Sequence, residues 1–536
     1  MKRIYFVSGT ILMLAVLGLF SFKLIWQDNR AALAASLDKS IRTEMLNKWY
    51  PQAVDKEYGG FLSTFTYDFK PTGDQDKMIV TQARHTWSNA KAAILYPEVE
   101  HYKISAAHGF AFLKNVMWDK TYGGFYTLVD RQGNVKKGSF APKEAYGNAF
   151  GIYALAAYYQ ASGDTSALNL AQKAFGWLEK NSHDPVYKGY FQHLERDGQP
   201  IRRTKEVPST SDLGYKDQNS SIHLLEAFTE LYQVWPNPLL RQRLQEMLYL
   251  IRDKITAPPG YLILFLQPNW QPVSFRDSSE AVILKHRNLD HVSFGHDVET
   301  AYLMLEASHV LGMKDDVTTM TVAKRMVDHA LRHGWDNQVG GFYDEGYYYK
   351  GNPKLTIIRD TKNWWAQAEG LNTLLLMADH YPKESMDYFG KFQTLWRYID
   401  KYLIDHEHGD WYPGGLDKEP QLKTALKGQI WKGNYHQFRS LANCVQRLQA
   451  DKVPPSVPGK LTANTQNNKL VLTWEAARDN KTMLGYHIYQ SGQRIGFTPL
   501  TSFTISGSKN LKGRKLSVRA VDWQGNLSVA ADQVVL

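Results

Sequence analysis

One short phrase recurs along this chain and limits what it can fold into. An acidic residue and a few polar ones are followed by glycine and an aromatic: Asp55 to Gly59-Gly60-Phe61, Asp119 to Gly123-Gly124-Phe125, Asp184 to Gly189-Tyr190, Gly260-Tyr261, Asp336 to Gly340-Gly341-Phe342, and Asp405 to Gly409-Asp410-Trp411. The six marker aromatics lie 64 to 81 residues apart. Six similar steps imply six similar units. The stretches between them read as helix pairs, such as Tyr146 to Gln160 with Ser166 to Leu178, and Ser221 to Val234 with Pro238 to Ile251, where Pro238 suits a first helical turn. Six helical hairpins that each bury one face close into a double ring, so residues 31–450 are expected to form an (α/α)6 barrel in a mainly α fold.

The ends differ from the repeats. Lys2-Arg3 precedes an apolar run from Ile4 to Phe22 that is long enough to cross a bilayer. Residues 1–27 are therefore read as a signal anchor or signal peptide, which makes the rest an exported protein, either held at the membrane or released. Pro454-Pro455-Ser456-Val457-Pro458-Gly459 makes 451–459 a stiff linker. Period-two alternation in Lys469 to Trp474, Gly485 to Tyr489, Lys515 to Val521 and Ser528 to Leu536 then predicts a small β-sandwich over 460–536, with Trp474 in its core. Such a module spaces domains or contacts glycans or proteins. The net charge of +10 is scattered among acids with no basic stripe, which argues against nucleic acid. Cys444 is the single cysteine, so neither an internal disulfide nor a cysteine-based metal site can form.

Polar and aromatic clusters recur about twenty to thirty-five residues after each marker, in one phase of the repeat. They are Gln82-Ala83-Arg84 with Trp87; Tyr146-Gly147-Asn148; Asn219 with His223 and Glu226; His296 with Glu299; Trp364-Trp365 with Glu369; and Trp431 with His436 and Arg439. A single buried histidine is ordinary core. Three in equivalent repeats of a closed ring converge on one end of its cavity and form a site. Glycosidases need two carboxylic acids across the scissile bond. Here imidazoles dominate, and they titrate near neutrality and can take a proton and return it. Glu299, three residues after His296, is expected to hold that imidazole. An arginine can carry the oxygen on which charge develops. His406-Glu407-His408 lacks metal-ligand spacing and is read as solvated, while His85 and His183 are read as structural.

The phrases Gln82-Ala83-Arg84-His85-Thr86-Trp87, Asn219-Ser220-Ser221-Ile222-His223, Gly295-His296-Asp297-Val298-Glu299, Trp364-Trp365-Ala366-Gln367-Ala368-Glu369 and Trp431-Lys432-Gly433-Asn434-Tyr435-His436 resemble the N-acylglucosamine 2-epimerase superfamily, and within it the cellobiose 2-epimerases. The resemblance covers Ser36 to Ala450. It implies an (α/α)6 barrel that epimerises C2 of a reducing-end sugar, with no cofactor or metal and an oligosaccharide as substrate. His296 and His436 would exchange the C2 proton, and His223 would assist ring opening. Arg84 and Asn219 would hold sugar oxygens, Glu299 would orient His296, and Trp365 and Trp431 would stack on the two rings. Trp364, Glu369, Tyr126 and Trp87 complete the expected pocket. Ala366 and Asn148 depart from the family pattern, which favours Pro and Gln there. The C-terminal phrases Leu484 to Tyr489 and Val518 to Asp522 resemble a fibronectin type III domain. The competing readings are a monosaccharide epimerase or aldose-ketose isomerase, an exported glycoside hydrolase, and a non-catalytic glycan-binding protein.

Overall fold

The computed structural model describes residues 29–137, 140–313, 315–466, 469–506, 513–531 and 533–535. Its helices are α1 (29–39, continuing through Ser40–Leu46 and Asn47–Trp49), α2 (Ile79–Leu95), α3 (Glu100–Phe112), α4 (Ala145–Ser162), α5 (Thr165–Asn181), α6 (Gln218–Val234), α7 (Pro238–Leu250), the short α8 (Glu280–His286), α9 (Phe294–Val310), α10 (Val317–His333), α11 (Trp364–His380), α12 (Tyr388–Tyr402) and α13 (Tyr435–Leu448). Helices α2, α4, α6, α9, α11 and α13 each pack on the next, and α13 returns to α2. That closes an inner ring. Outside it α3, α5, α7, α10 and α12 each back the inner helix before them, and α1 backs α13, so the sixth hairpin joins the two ends of the barrel. The (α/α)6 expectation agrees with this arrangement.

Sequence sets which helix lies inside. Helix α4, rich in Ala and Tyr, is buried along nearly its whole length, as an element enclosed on all sides must be. Helix α10 buries nine of its seventeen residues, centred on the stripe Val322, Ala323, Met326, Val327 and Ala330, as an outer helix should. The Asn237 side chain caps α7 by accepting from the backbone N–H groups of Leu239 and Leu240, with Pro238 at the first helical position where its missing N–H costs nothing.

The recurring phrase is a loop with its own internal clamp. In five of the six repeats a buried lysine at the start of the next segment reaches back to the loop aspartate: Lys77 to Asp55 at 2.9 Å, Lys143 to Asp119 at 3.0 Å, Lys216 to Asp184 at 2.8 Å, Lys362 to Asp336 at 2.8 Å and Lys427 to Asp405 at 2.7 Å. A second clamp comes from the fourth residue of an inner helix. The side-chain oxygens of Gln82, Asn148, Asp297 and Gln367 accept the backbone N–H groups of Phe61, Phe125, Leu262 and Phe342. Asn148, expected to be a glutamine, does the same structural work with a shorter reach. Glycine is required where these clamps close: Gly60 has φ +68°, and a Cβ there would stand 2.6 Å from Gln82 Oε1.

The C-terminal region forms two antiparallel sheets from β1 (Gly459–Gln466), β2 (Lys469–Glu475), β3 (Met483–Gln490), β4 (Gln493–Thr498), β5 (Ser502–Ser506), β6 (Lys515–Asp522) and β7 (Val534–Val535), in the orders β1-β2-β5 and β4-β3-β6-β7. Strands β1, β4 and β5 lie outside the expected four; in β4 the last three residues, Gly496, Phe497 and Thr498, are buried in succession, which breaks period two. The strand read from Ser528 shrinks to Val534–Val535, since the Ser528 hydroxyl and carbonyl are taken by Ala520 N–H and Arg519 Nε. Trp474 lies edge-on to Tyr486 in the core, as expected. The four-stranded sheet and the turn after β6 seat against the barrel end farthest from the marker loops: Tyr159 donates to the Phe497 carbonyl at 2.7 Å, Gln446 to that of Trp523 at 2.9 Å, and Arg494 to that of Tyr232 at 3.0 Å. The predicted apolar segment 1–27 lies outside the described residues, and among those described no helix is long and apolar enough to cross a membrane.

Candidate active site

The inner helices begin at the marker-loop end, and their sixth residues form one level: Arg84, Phe150, His223, Glu299 and Glu369, completed by Arg439, the fifth residue of α13. His296 and His436 lie one turn nearer the mouth. The three histidines therefore converge without sharing a phase, which corrects the expectation of matching positions.

Arg439 is the hub of the lower level. Its Nη2 lies 2.6 Å from Glu299 Oε1 and 2.7 Å from Glu369 Oε1, and its Nη1 bonds Glu226 Oε1 and the Tyr435 hydroxyl. Glu226 in turn accepts from His223 Nδ1 at 2.8 Å and from the Tyr435 hydroxyl at 2.5 Å. Glu369 meets His436 Nδ1 at 2.7 Å. Each acid thus holds one ring nitrogen, and among the described residues Nε2 of His223 and of His436 makes no protein hydrogen bond. Glu299 does not hold His296. Arg439 draws it across the ring, and His296 Nδ1 instead meets Ser293 Oγ at 2.8 Å.

Charge follows from burial. Three carboxyls meet one guanidinium away from water, and burial pushes Glu299 up to about 8, with Glu369 also raised by burial and then by Glu299. Burial likewise lowers His223 and His436, with Arg84 adding to both, and lowers His296 to about 3. All three imidazoles are neutral at neutral pH, as acceptors of a carbon-bound proton must be. Atoms of Glu299, Glu369 and His436 lie within 4.8 Å of one another, a spacing a metal ion could use, but the Arg439 cation already sits on the two carboxyl oxygens.

The other expected residues divide. Trp365 lies against both proton-transfer candidates, its ring centre 4.6 Å from His296 and 5.8 Å from His436. Arg84 lies over the rings of Phe150 and Tyr435, bonds the Tyr146 hydroxyl at 3.2 Å, and keeps Nε unpaired. Asn219 lies beside that same hydroxyl. Trp431 stands 37% exposed at the rim, near Phe140 and Tyr146. Three assignments need correction. Trp87 is stacked on Tyr153 at 5.1 Å, one turn below Arg84 and away from the mouth. Trp364 turns to the core, with the Lys432 ammonium 5.6 Å from its ring. Tyr126 is fixed in its marker loop, its hydroxyl accepting from Arg196 Nη2 at 2.9 Å. Arg439, Glu226 and Tyr146 belong to the recurring clusters, Glu226 at a supporting partner's spacing from His223, while Tyr435 and Ser293 receive no role from residue pattern alone. The signal that points to the first two is their place one turn or less from the common level of the inner helices.

A helical double ring with imidazoles, carboxyls and guanidiniums gathered at one mouth defines a sugar-isomerase type of barrel, and comparison with known proteins agrees. Residues 59–440 match the family described as N-acylglucosamine 2-epimerase (GlcNAc 2-epimerase), and the chain belongs to that family. It is an isomerase, a sugar 2-epimerase by kinship. A cellobiose 2-epimerase from Bacteroides fragilis is 28% identical over 430 residues, covering 78% of this chain and 98% of its own. One from Ruminococcus albus is 30% identical over 410 residues, 76% of this chain and 96% of its own. The solved cellobiose 2-epimerase of Spirochaeta thermophila superposes with a TM-score of 0.66 at 26% identity, covering 78% of this chain and 98% of its own.

Proposed function

We propose that this enzyme interconverts glucose and mannose at the reducing end of a β-linked disaccharide of the cellobiose or mannobiose type. What supports the reading most is that His296 and His436, from separate repeats, both lie against Trp365. A sugar ring seated on that indole would meet one imidazole with each face of C2. The open-chain aldehyde makes the C2 proton acidic. One neutral histidine takes it and becomes imidazolium, leaving an enediolate; the other gives its ring N–H proton to the opposite face and regains one from solvent, to which the imidazolium releases the first, so C2 inverts with no net change of atoms. Arg84, with Nε unpaired, would hold the enediolate oxygen, and His223, backed by Glu226, would move the proton that opens and closes the ring. Trp431 at the rim offers a face to the second sugar.

The apolar run Ile4 to Phe22 behind Lys2 and Arg3 supports export, with the enzyme anchored at or released from the outer face of the membrane. The three-plus-four strand order supports the fibronectin type III reading of the C-terminal domain.

Incubation with cellobiose and with mannobiose in deuterated water, followed at C2 by NMR, tests the proposal. The expected result is an epimer carrying deuterium at C2, lost in both His296→Ala and His436→Ala. Cleavage to monosaccharides, or binding without exchange, would overturn it.

A further inference from the structure

The barrel end opposite the mouth holds a cavity of about 130 Å³, walled by the inner helices and roofed by Leu484 and Trp523 of the β domain. A water needs on the order of a tenth of that space, so there is room for a small organic molecule. Two larger hollows of 320 and 790 Å³ follow the same seam, and the larger shares Tyr302, Glu306 and Gln446 with the first, which gives it a path outward. Domain seams are where small-molecule sites concentrate.

The lining points to a ligand class. Lys91 Nζ is paired with Glu230 and bonds Gln160 Oε1 at 2.5 Å, while it lies over the Trp523 ring. Glu226 is paired with Arg439. An ion binding at either pair would have to break it, while Glu306, which bonds the Tyr302 hydroxyl and has no cationic partner among the described residues, adds one more acceptor to the wall. Donors remain unspent: Trp87 Nε1, Trp523 Nε1 and Arg439 Nε are buried without partners, Trp87 being 6% and Arg439 2% exposed. A buried donor left without an acceptor is unfavourable, so each gains from a ligand that accepts. Carboxylate and amide acceptors stand beside them. A neutral molecule whose groups both donate and accept, with a C–H face for indole, satisfies this set.

We infer that this seam cavity is a second binding site, taking a neutral polyol or monosaccharide, distinct from the reacting mouth and built jointly by the barrel and the β domain. Because Trp523 supplies part of the wall, the ligand would also tie the β domain to the barrel.

Calorimetric titration of the full chain with methyl β-D-glucopyranoside tests this, since the blocked anomeric carbon prevents ring opening and turnover. In Trp365→Ala, which removes the mouth platform, binding at the seam should persist. In Asn443→Leu and in Lys91→Met it should weaken at least tenfold, while exchange at C2 of a substrate continues in Asn443→Leu. Asn443 is half-buried with a single bond to Tyr302, so that variant keeps the test alive if Lys91→Met does not fold. No binding by the wild type, or binding abolished by Trp365→Ala and untouched by Asn443→Leu, would overturn the inference. Loss of C2 exchange in the wild type would overturn the epimerase reading alone.

Discussion

Arg439 Nη2 holds Glu299 Oε1 at 2.6 Å, a bond between helices on different sides of the inner ring. The same guanidinium reaches the acids behind His223 and His436, so one side chain sets the supports of two imidazoles. Replacing it with Met leaves three buried carboxyls without their cation. We expect a stability loss of about 3–5 kcal/mol and a fall in activity of about 10²-fold or more. Denaturant unfolding beside steady-state rates checks both, and wild-type stability in the variant would refute the hub role.

Ser293, not Glu299, is the hydrogen-bond partner of His296. Ser293→Ala should lower kcat about tenfold by freeing the ring, with KM nearly unchanged, since a lost neutral hydrogen bond is worth about 0.5–1.5 kcal/mol. An unchanged kcat would show that another group orients this histidine.

Trp431 lies at the rim and Trp365 between the imidazoles. Trp431→Ala should raise KM for a disaccharide about two- to tenfold, the worth of one aromatic contact, with little change in kcat. Trp365→Ala should reduce kcat as well. Equal effects of the two on kcat would contradict their different placements.

His85 and His296 are both lowered to about 3 by burial. Below their unfolded value near 6.5 the unfolded chain binds protons that the folded one refuses, so stability is complete above that pH and falls as pH drops toward 3. Each such group sets a slope of up to about 1.4 kcal/mol per pH unit, opposed over the same range by buried carboxyls such as Glu299, raised to about 8, which hold a proton in the folded chain. The test is therefore a comparison: between pH 7 and pH 5 the change in urea unfolding stability of His85→Asn should differ from that of the wild type by about one proton, in the direction of greater acid stability. An unchanged difference between the two pH values in His85→Asn would refute it.

The Lys143–Asp119 pair is buried on both sides. Lys143→Met leaves Asp119 only the exposed Arg196 at 3.1 Å, and the expected cost is about 1–3 kcal/mol. Because the pair belongs to a loop clamp, the effect should appear in unfolding midpoints while C2 exchange per folded molecule stays near wild type.

Much of the fold and site is legible in the amino-acid pattern. The Gly-aromatic phrase marks the loops, and counting from it reaches His223, His296, His436, Arg84 and Glu369. Local spacing misleads where a distant partner wins: His296 and Glu299 are one turn apart, yet Arg439 lies 140 residues from the glutamate in sequence and takes it. Trp364 and Trp365 are neighbours in sequence but point to different surroundings, as adjacent helical residues must. The clamps are hidden because each lysine is separated from its aspartate by a loop of variable length. The seam cavity cannot be read from sequence at all, since it belongs to the docking of two domains.

Helix α1 supplies the outer wall of the hairpin whose inner wall, α13, carries His436. The Glu44 carbonyl on α1 accepts from Asp410 N–H and its carboxylate meets His406 Nδ1, stitching the first turns of the barrel to its last marker loop. A chain emerging from the ribosome can therefore complete five hairpins and still have no closed ring. Until α13 is made, α1 and the flank of α2 lack their final neighbours, and contacts between such distant segments form slowly. The last hairpin brings both the closing contact and the final imidazole, so the catalytic mouth is assembled only when the ring locks.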